Sequence, residues 1–165
     1  MVNARRFFCF LICSLSLGVG AAYASGWTEV RTLEGKFTTF SEQFEAGKWT
    51  LVMLWKSDCS ICIREYPAIS DFHTRHSDSD AIVLGVSLDG YSQIEKIRQH
   101  IEEMPMTFES LVGESIVVAF QYNIATSKLL QGTPTYLVYD PKGQLATHHV
   151  GPLNTKALEE FINRN

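Results

Sequence analysis

Two thiols separated by two residues, Cys59-Ser60-Ile61-Cys62, stand where an apolar run over residues 50–55 gives way to a helix-like stretch beginning Ile61-Cys62-Ile63-Arg64-Glu65. Cysteines at that spacing on a helix N-terminus can close into a disulfide and reopen, because the dipole and free amides of the first turn stabilise one of them as thiolate. The pair reads as redox-active. It is a poor staple, since a disulfide gains leverage by closing a long loop and this one encloses almost none. The other two cysteines, Cys9 and Cys13, fall in an N-terminal stretch expected to be removed, so the mature chain keeps only this pair.

Charges nearby pull in both directions. Asp58 disfavours a thiolate on Cys59, whereas the helix dipole, Lys56 and Arg64 favour it. Glu65 follows Cys62 by three residues and shares its helix face, within reach of direct or water-borne proton exchange if it turns inward. Its alternative is a solvated helix glutamate paired with a cation.

The elements that must position these groups follow from periodicity. A short hairpin over residues 30–33 and 37–40 turns at Glu34-Gly35, and Ser41 caps a short helix ending near Gly47. Residues 50–55 lack polar alternation, as a strand buried on both faces should, and 81–87 repeat the pattern. A helix over 60–76 is expected to bend or restart at Pro67, which lacks an amide donor. A helix over 92–102 carries Ile94, Ile97 and Ile101 at helical spacing, a strand spans 108–112, and a helix spans 114–122. Strands over 135–139 and 145–150 pair through Asp140-Pro141-Lys142-Gly143, and Asn154 or Thr155 caps a last helix with Leu158, Phe161 and Ile162 inward. An early β-α-β unit and a late hairpin plus helix predict an α/β sandwich with mixed strand directions.

The chain has 165 residues, 14 basic against 18 acidic, for a net charge of −4. Its first 24 have the build of a signal peptide: Arg5-Arg6, an apolar stretch over 7–19, and the small-x-small Ala22-Tyr23-Ala24, with cleavage before Ser25. An uncleaved N-terminal membrane anchor is the alternative, since the apolar stretch is near the lower limit for spanning a bilayer. Residues 25–165 then form one domain, more acidic once Arg5 and Arg6 are gone, which argues against nucleic acid and anionic membrane surfaces as partners.

Taken in order, Gly35-Lys36 in a hairpin, Trp55 four residues before Cys59, the Cys59/Cys62 pair, Glu65-Tyr66-Pro67, Gly132-Thr133-Pro134-Thr135 and the Asp140-Pro141-Lys142-Gly143 turn resemble the thioredoxin superfamily. Within it the chain resembles the TlpA-like exported thiol-disulfide oxidoreductases of the cytochrome c maturation type. The resemblance spans residues 27–163 and implies a three-layer α/β/α sandwich with a mixed central sheet and an N-terminal β-hairpin. It implies that Cys59 attacks and Cys62 resolves, that Trp55, Thr133 and Pro134 form the substrate-binding surface, and that Pro134 is a cis-proline. On its own, Pro134 reads as an ordinary turn proline. The resemblance implies that Glu65 influences thiol titration. It implies no cofactor, and as partners disulfide-containing exported proteins, apocytochrome c among them, with a membrane thiol donor. Three departures stand out: Asp58 where thioredoxins carry tryptophan, Ile61 where they carry proline, and a long approach over 123–131 to Pro134.

Two other readings compete. A copper chaperone on the same fold would use His148-His149 with the cysteines, although its cysteines are spaced by three residues; His73 and His76 miss zinc-finger spacing. A peroxiredoxin-like antioxidant protein would need threonine three residues before its cysteine, where this chain has Lys56. No metal site is expected.

Overall fold

The computed structural model describes residues 29–165; the expected signal segment, residues 1–24, lies outside the described residues. Among the described residues no helix is long and apolar enough to cross a membrane.

Among the described residues seven strands form one sheet in the order β2-β1-β5-β4-β3-β6-β7. β3 (Trp49–Trp55) is buried at all seven positions and lies between β4 (Ala81–Ser87), parallel to it, and β6 (Thr135–Tyr139), antiparallel. A strand enclosed on both faces and both edges leaves few positions where a polar side chain is tolerated cheaply, hence the apolar run from Leu51 to Trp55, with Thr50 the one buried polar side chain in the strand. β5 (Glu109–Gly113) runs parallel to β4, and the hairpin of β1 (Val30–Arg31) and β2 (Phe37–Thr38) closes that edge, shorter than expected. β7 (Leu145–Val150) closes the other edge. The hairpin turn is tied by Asp140 Oδ1, which accepts the Lys142 and Gln144 amides at 2.9 and 2.8 Å.

Alternation along β3 divides the core. Leu51, Met53 and Trp55 face α1 (Ser60–His76), α2 (Ile94–Glu103) and α4 (Thr155–Ile162), with Ile69, Phe72, Ile97, Leu158 and Ile162 in the same cluster. Val52 and Leu54 face α3 (Ser115–Thr126) through Val118 and Tyr122. The architecture is the expected three-layer α/β/α sandwich with a mixed sheet.

Four local expectations are revised. α1 continues through Pro67 without a restart, because Tyr66 and Ile69 on either side are buried against the sheet while Pro67 itself faces solvent. The helix expected after Ser41 is only a 3₁₀ turn, Ser41–Gln43, whose preceding residue Phe40 is buried and offers no side-chain cap. α2 is preceded by a second such turn, Tyr91–Gln93. α3 extends to Thr126, so half of the supposed loop 123–131 is its last turn. Outward from the sheet α3 shows Ile116, Phe120 and Ile124, exposed at 79%, 65% and 62%.

Candidate active site

Cys59 is the N-cap of α1 and Cys62 lies in its first turn. The two are joined as a disulfide with their Cα atoms 5.2 Å apart. The Cys62 amide donates to Cys59 Sγ at 3.1 Å, so the helix end aims a free N–H at this sulfur. Cys59 is half-buried and Cys62 fully buried. Only Cys59 is therefore open to an incoming disulfide, and its thiolate is the one the helix end stabilises.

The backbone before β6 meets Cys59 from the opposite side. The Thr133–Pro134 peptide bond is cis, and Thr133 O lies 3.4 Å from Cys59 Sγ. A disulfide sulfur has no proton to donate, so this contact becomes a hydrogen bond only in the reduced thiol. Pro134 is buried and Thr133 half-buried. The Gly151 amide donates to Pro134 O at 2.9 Å, which fastens the loop after β7 to this segment.

Glu65 belongs to that same junction. Its Oε2 accepts the Leu153 amide at 2.6 Å and faces the Tyr136 hydroxyl at 3.4 Å. Glu65 is thus half-buried and, among the described residues, makes no ion pair: it ties α1 to β6 and to the loop before α4. The Tyr136 phenol is pushed well above its ordinary value, first by burial and then by the Glu65 carboxylate, so it stays protonated and donates.

Trp55, expected on the substrate-binding surface, is wholly buried, at 0% exposure. It stacks on His100 with centroids 5.4 Å apart and meets Tyr66 edge-on at 6.0 Å. The reason is local: Trp55 ends the central strand beneath the first turns of α1, and α2 covers its other side. His100 Nε2 and the Tyr66 hydroxyl are 3.1 Å apart, and burial holds the imidazole below its ordinary pKa while pushing the phenol up. The contact is a hydrogen bond whose direction follows the tautomer of the neutral ring.

Sequence reasoning missed Asp89. It stands just beyond β4, where the loops at the carboxyl ends of parallel strands gather around a site, and that position was the available signal. Its carboxylate takes the Ser57 amide at 2.9 Å and the Ser57 hydroxyl at 3.1 Å. His148 and His149 are used elsewhere: Nδ1 of His148 lies 3.0 Å from the Tyr122 hydroxyl, and Nε2 of His149 lies 2.8 Å from Pro152 O. Among the described residues no group of three or more His, Cys, Asp or Glu is placed to hold a metal.

An opened helix end carrying a bonded Cys-x-x-C pair, faced by a cis-proline loop on a mixed α/β/α sandwich, defines a thioredoxin-fold protein of the thiol-disulfide oxidoreductase class. The chain belongs to the AhpC/TSA family, whose description matches residues 26–148. It is 26% identical over 135 residues to the thioredoxin-like protein YneN of Bacillus subtilis, covering 81% of this chain and 74% of that one. Sporulation thiol-disulfide oxidoreductase A of the same organism is 23% identical over 133 residues, covering 80% and 75%. The exposed lipoprotein thioredoxin Etrx1 of Streptococcus pneumoniae shares the fold, with a TM-score of 0.66 at 21% identity over 83% of this chain and 98% of that one.

Proposed function

We propose that this chain is an exported thiol-disulfide oxidoreductase that reduces protein disulfides through a mixed-disulfide intermediate. The observation that carries the reading is the half-buried Cys59 Sγ on the α1 N-terminus, taking the Cys62 amide and lying 3.4 Å from Thr133 O. In the reduced protein the Cys59 thiolate attacks one sulfur of a substrate disulfide, and the other sulfur leaves as thiolate and takes a proton. Cys62, deprotonated, then attacks Cys59 Sγ and releases the second substrate sulfur. The substrate gains two electrons and two protons, and the enzyme is left as the Cys59–Cys62 disulfide.

The edge at Thr133 and Pro134 is where a substrate strand would lie, with its backbone against that of Thr133. Glu65 is assigned to proton exchange with the thiol pair, in addition to its anchoring bonds. Trp55 supports the surface from below. The basic, apolar and small-residue order of residues 1–24 supports export with cleavage before Ser25. The substrates are then disulfide-containing exported proteins, apocytochrome c among the candidates, and a membrane thiol donor returns the pair to the dithiol.

Insulin-disulfide reduction with dithiothreitol tests the activity: wild type should accelerate precipitation and Cys59→Ser should not. A midpoint potential near about −250 mV or below supports a reductase, whereas about −120 mV would make it an oxidant. Saturable peroxide consumption without disulfide reduction would overturn the reading.

A further inference from the structure

The connection between β3 and α1, residues 56–59, carries the attacking sulfur and is held in shape by a neighbouring loop. Cys59 N–H donates to Lys56 O at 3.1 Å, closing a turn, and Leu88 N–H donates to Trp55 O at 2.8 Å, pairing the start of this connection with the loop after β4. In that loop Asp89 uses both carboxylate oxygens. Oδ2 accepts the Ser57 amide at 2.9 Å and the Ser87 hydroxyl at 2.9 Å, and Oδ1 accepts the Ser57 hydroxyl at 3.1 Å. The Asp89 amide in turn donates to Ser87 Oγ at 3.2 Å. These three donors come from two serines and not from a cation, so the negative charge is spread but not cancelled.

We propose that Asp89 is a positioning residue for the redox step: it fixes the turn that presents Cys59 to Thr133, and its charge, added to that of Asp58, disfavours the Cys59 thiolate and makes the pair more reducing. The inference rests on Cys59 being the attacking thiol. A thiolate stabilises the reduced form, so a carboxylate bonded to Ser57, two residues before the nucleophile, weakens that form and favours the disulfide. The charged and titratable groups around Asp89 are Tyr66 on α1, His100 on α2 and Glu114, which bridges to it from the end of β5. Lys56 and Asp58 lie on the connection itself, and Arg64 on α1. Lys56 and Arg64 oppose the effect at Cys59, and Asp58 reinforces it.

The test compares charge with shape. Asp89→Asn keeps a carbonyl oxygen for the Ser57 amide and removes the charge. The expected results are an equilibrium with glutathione moved about threefold toward the dithiol, and a midpoint of Cys59 alkylation lowered by about half a pH unit. Ser57→Ala/Ser87→Ala removes both hydroxyl donors and leaves the charge less dispersed, so it should move the glutathione equilibrium about twofold the other way, toward the disulfide. A role confined to loop structure would move both variants in one direction. Asp89→Asn with unchanged equilibrium and alkylation profile, or both variants shifting alike, would overturn the proposal; if Asp89→Asn does not fold, the sign of the serine double variant decides. Neither measurement uses a protein substrate. Opposite shifts in a protein inactive toward insulin would support the role of Asp89 and count against the proposed reductase.

Discussion

Replacing Glu65 separates the anchoring bonds the carboxylate makes from the proton exchange proposed for it. The 2.6 Å bond from the Leu153 amide is charge-assisted, of a kind worth about 1.5–3 kcal/mol net, and the 3.4 Å contact with the Tyr136 hydroxyl adds little. Glu65→Gln keeps an oxygen for the amide and forfeits the charged increment, about 1 kcal/mol, whereas Glu65→Ala strands the amide and the buried phenol at a cost of about 2–3 kcal/mol. One kcal/mol moves the melting temperature of a domain this size by about 2–4 °C, so the alanine variant should melt roughly 4–12 °C below wild type. Urea melts should give the same order, with unchanged slope. Alkylation of the reduced pair between pH 5 and 10 reads the proposed proton exchange, and Glu65→Gln should alter that profile while Tyr136→Phe leaves it in place. An alanine variant as stable as wild type would refute the anchor. Superimposable alkylation curves for wild type and Glu65→Gln would refute the proton role.

Gly85→Ala should destabilise by about 1–3 kcal/mol in a chemical melt, because a Cβ there would press on Ser110 Oγ and stand 3.1 Å from Trp55 Nε1; Ser110→Gly in the same chain should restore part of the loss. Stability should also fall as pH drops from about 7.5 toward 5.5. Burial depresses the His100 pKa, so the unfolded chain takes up the proton first; the contribution is complete above the unfolded value and is lost as pH falls through the folded one. His100→Asn should flatten the corresponding part of a melting-temperature series against pH, and an unchanged slope would count against it.

Much of this was legible because period and burial leave strong marks. The buried strand β3, the bounds of α1 and β4, and the turn at Asp140 follow from hydrophobic runs and turn residues that tertiary packing had no reason to override. Local chemistry could not foresee α1 running through Pro67, where buried side chains on both flanks hold the helix together, nor the last turn of α3, where no glycine or proline ends the pattern before Ser127 takes a left-handed conformation at φ 56°. The site divides in the same way. Cys59 and Cys62 are adjacent in sequence and announce themselves, whereas the partners of Glu65 lie 71 and 88 residues away and the Asp89 contact with Ser57 spans 32. Pairings at such separations are set by sheet order, which no local spacing encodes. Trp55 lies on the same face of the sheet as the cysteines, and the ring stacked on it, His100 of α2, is again a partner far along the chain.

The central claim is tested most directly by expressing Cys62→Ser in the exported compartment and separating its adducts under non-reducing conditions. Without the resolving thiol the reaction stalls after the first attack, so Cys59 should accumulate as mixed disulfides that dithiothreitol releases, and Cys59→Ser should trap far fewer. Exported disulfide proteins among the released partners would support the proposed reductase, apocytochrome c pointing to cytochrome assembly. Absence of reducible adducts from Cys62→Ser, or equal trapping by the two variants, would contradict it.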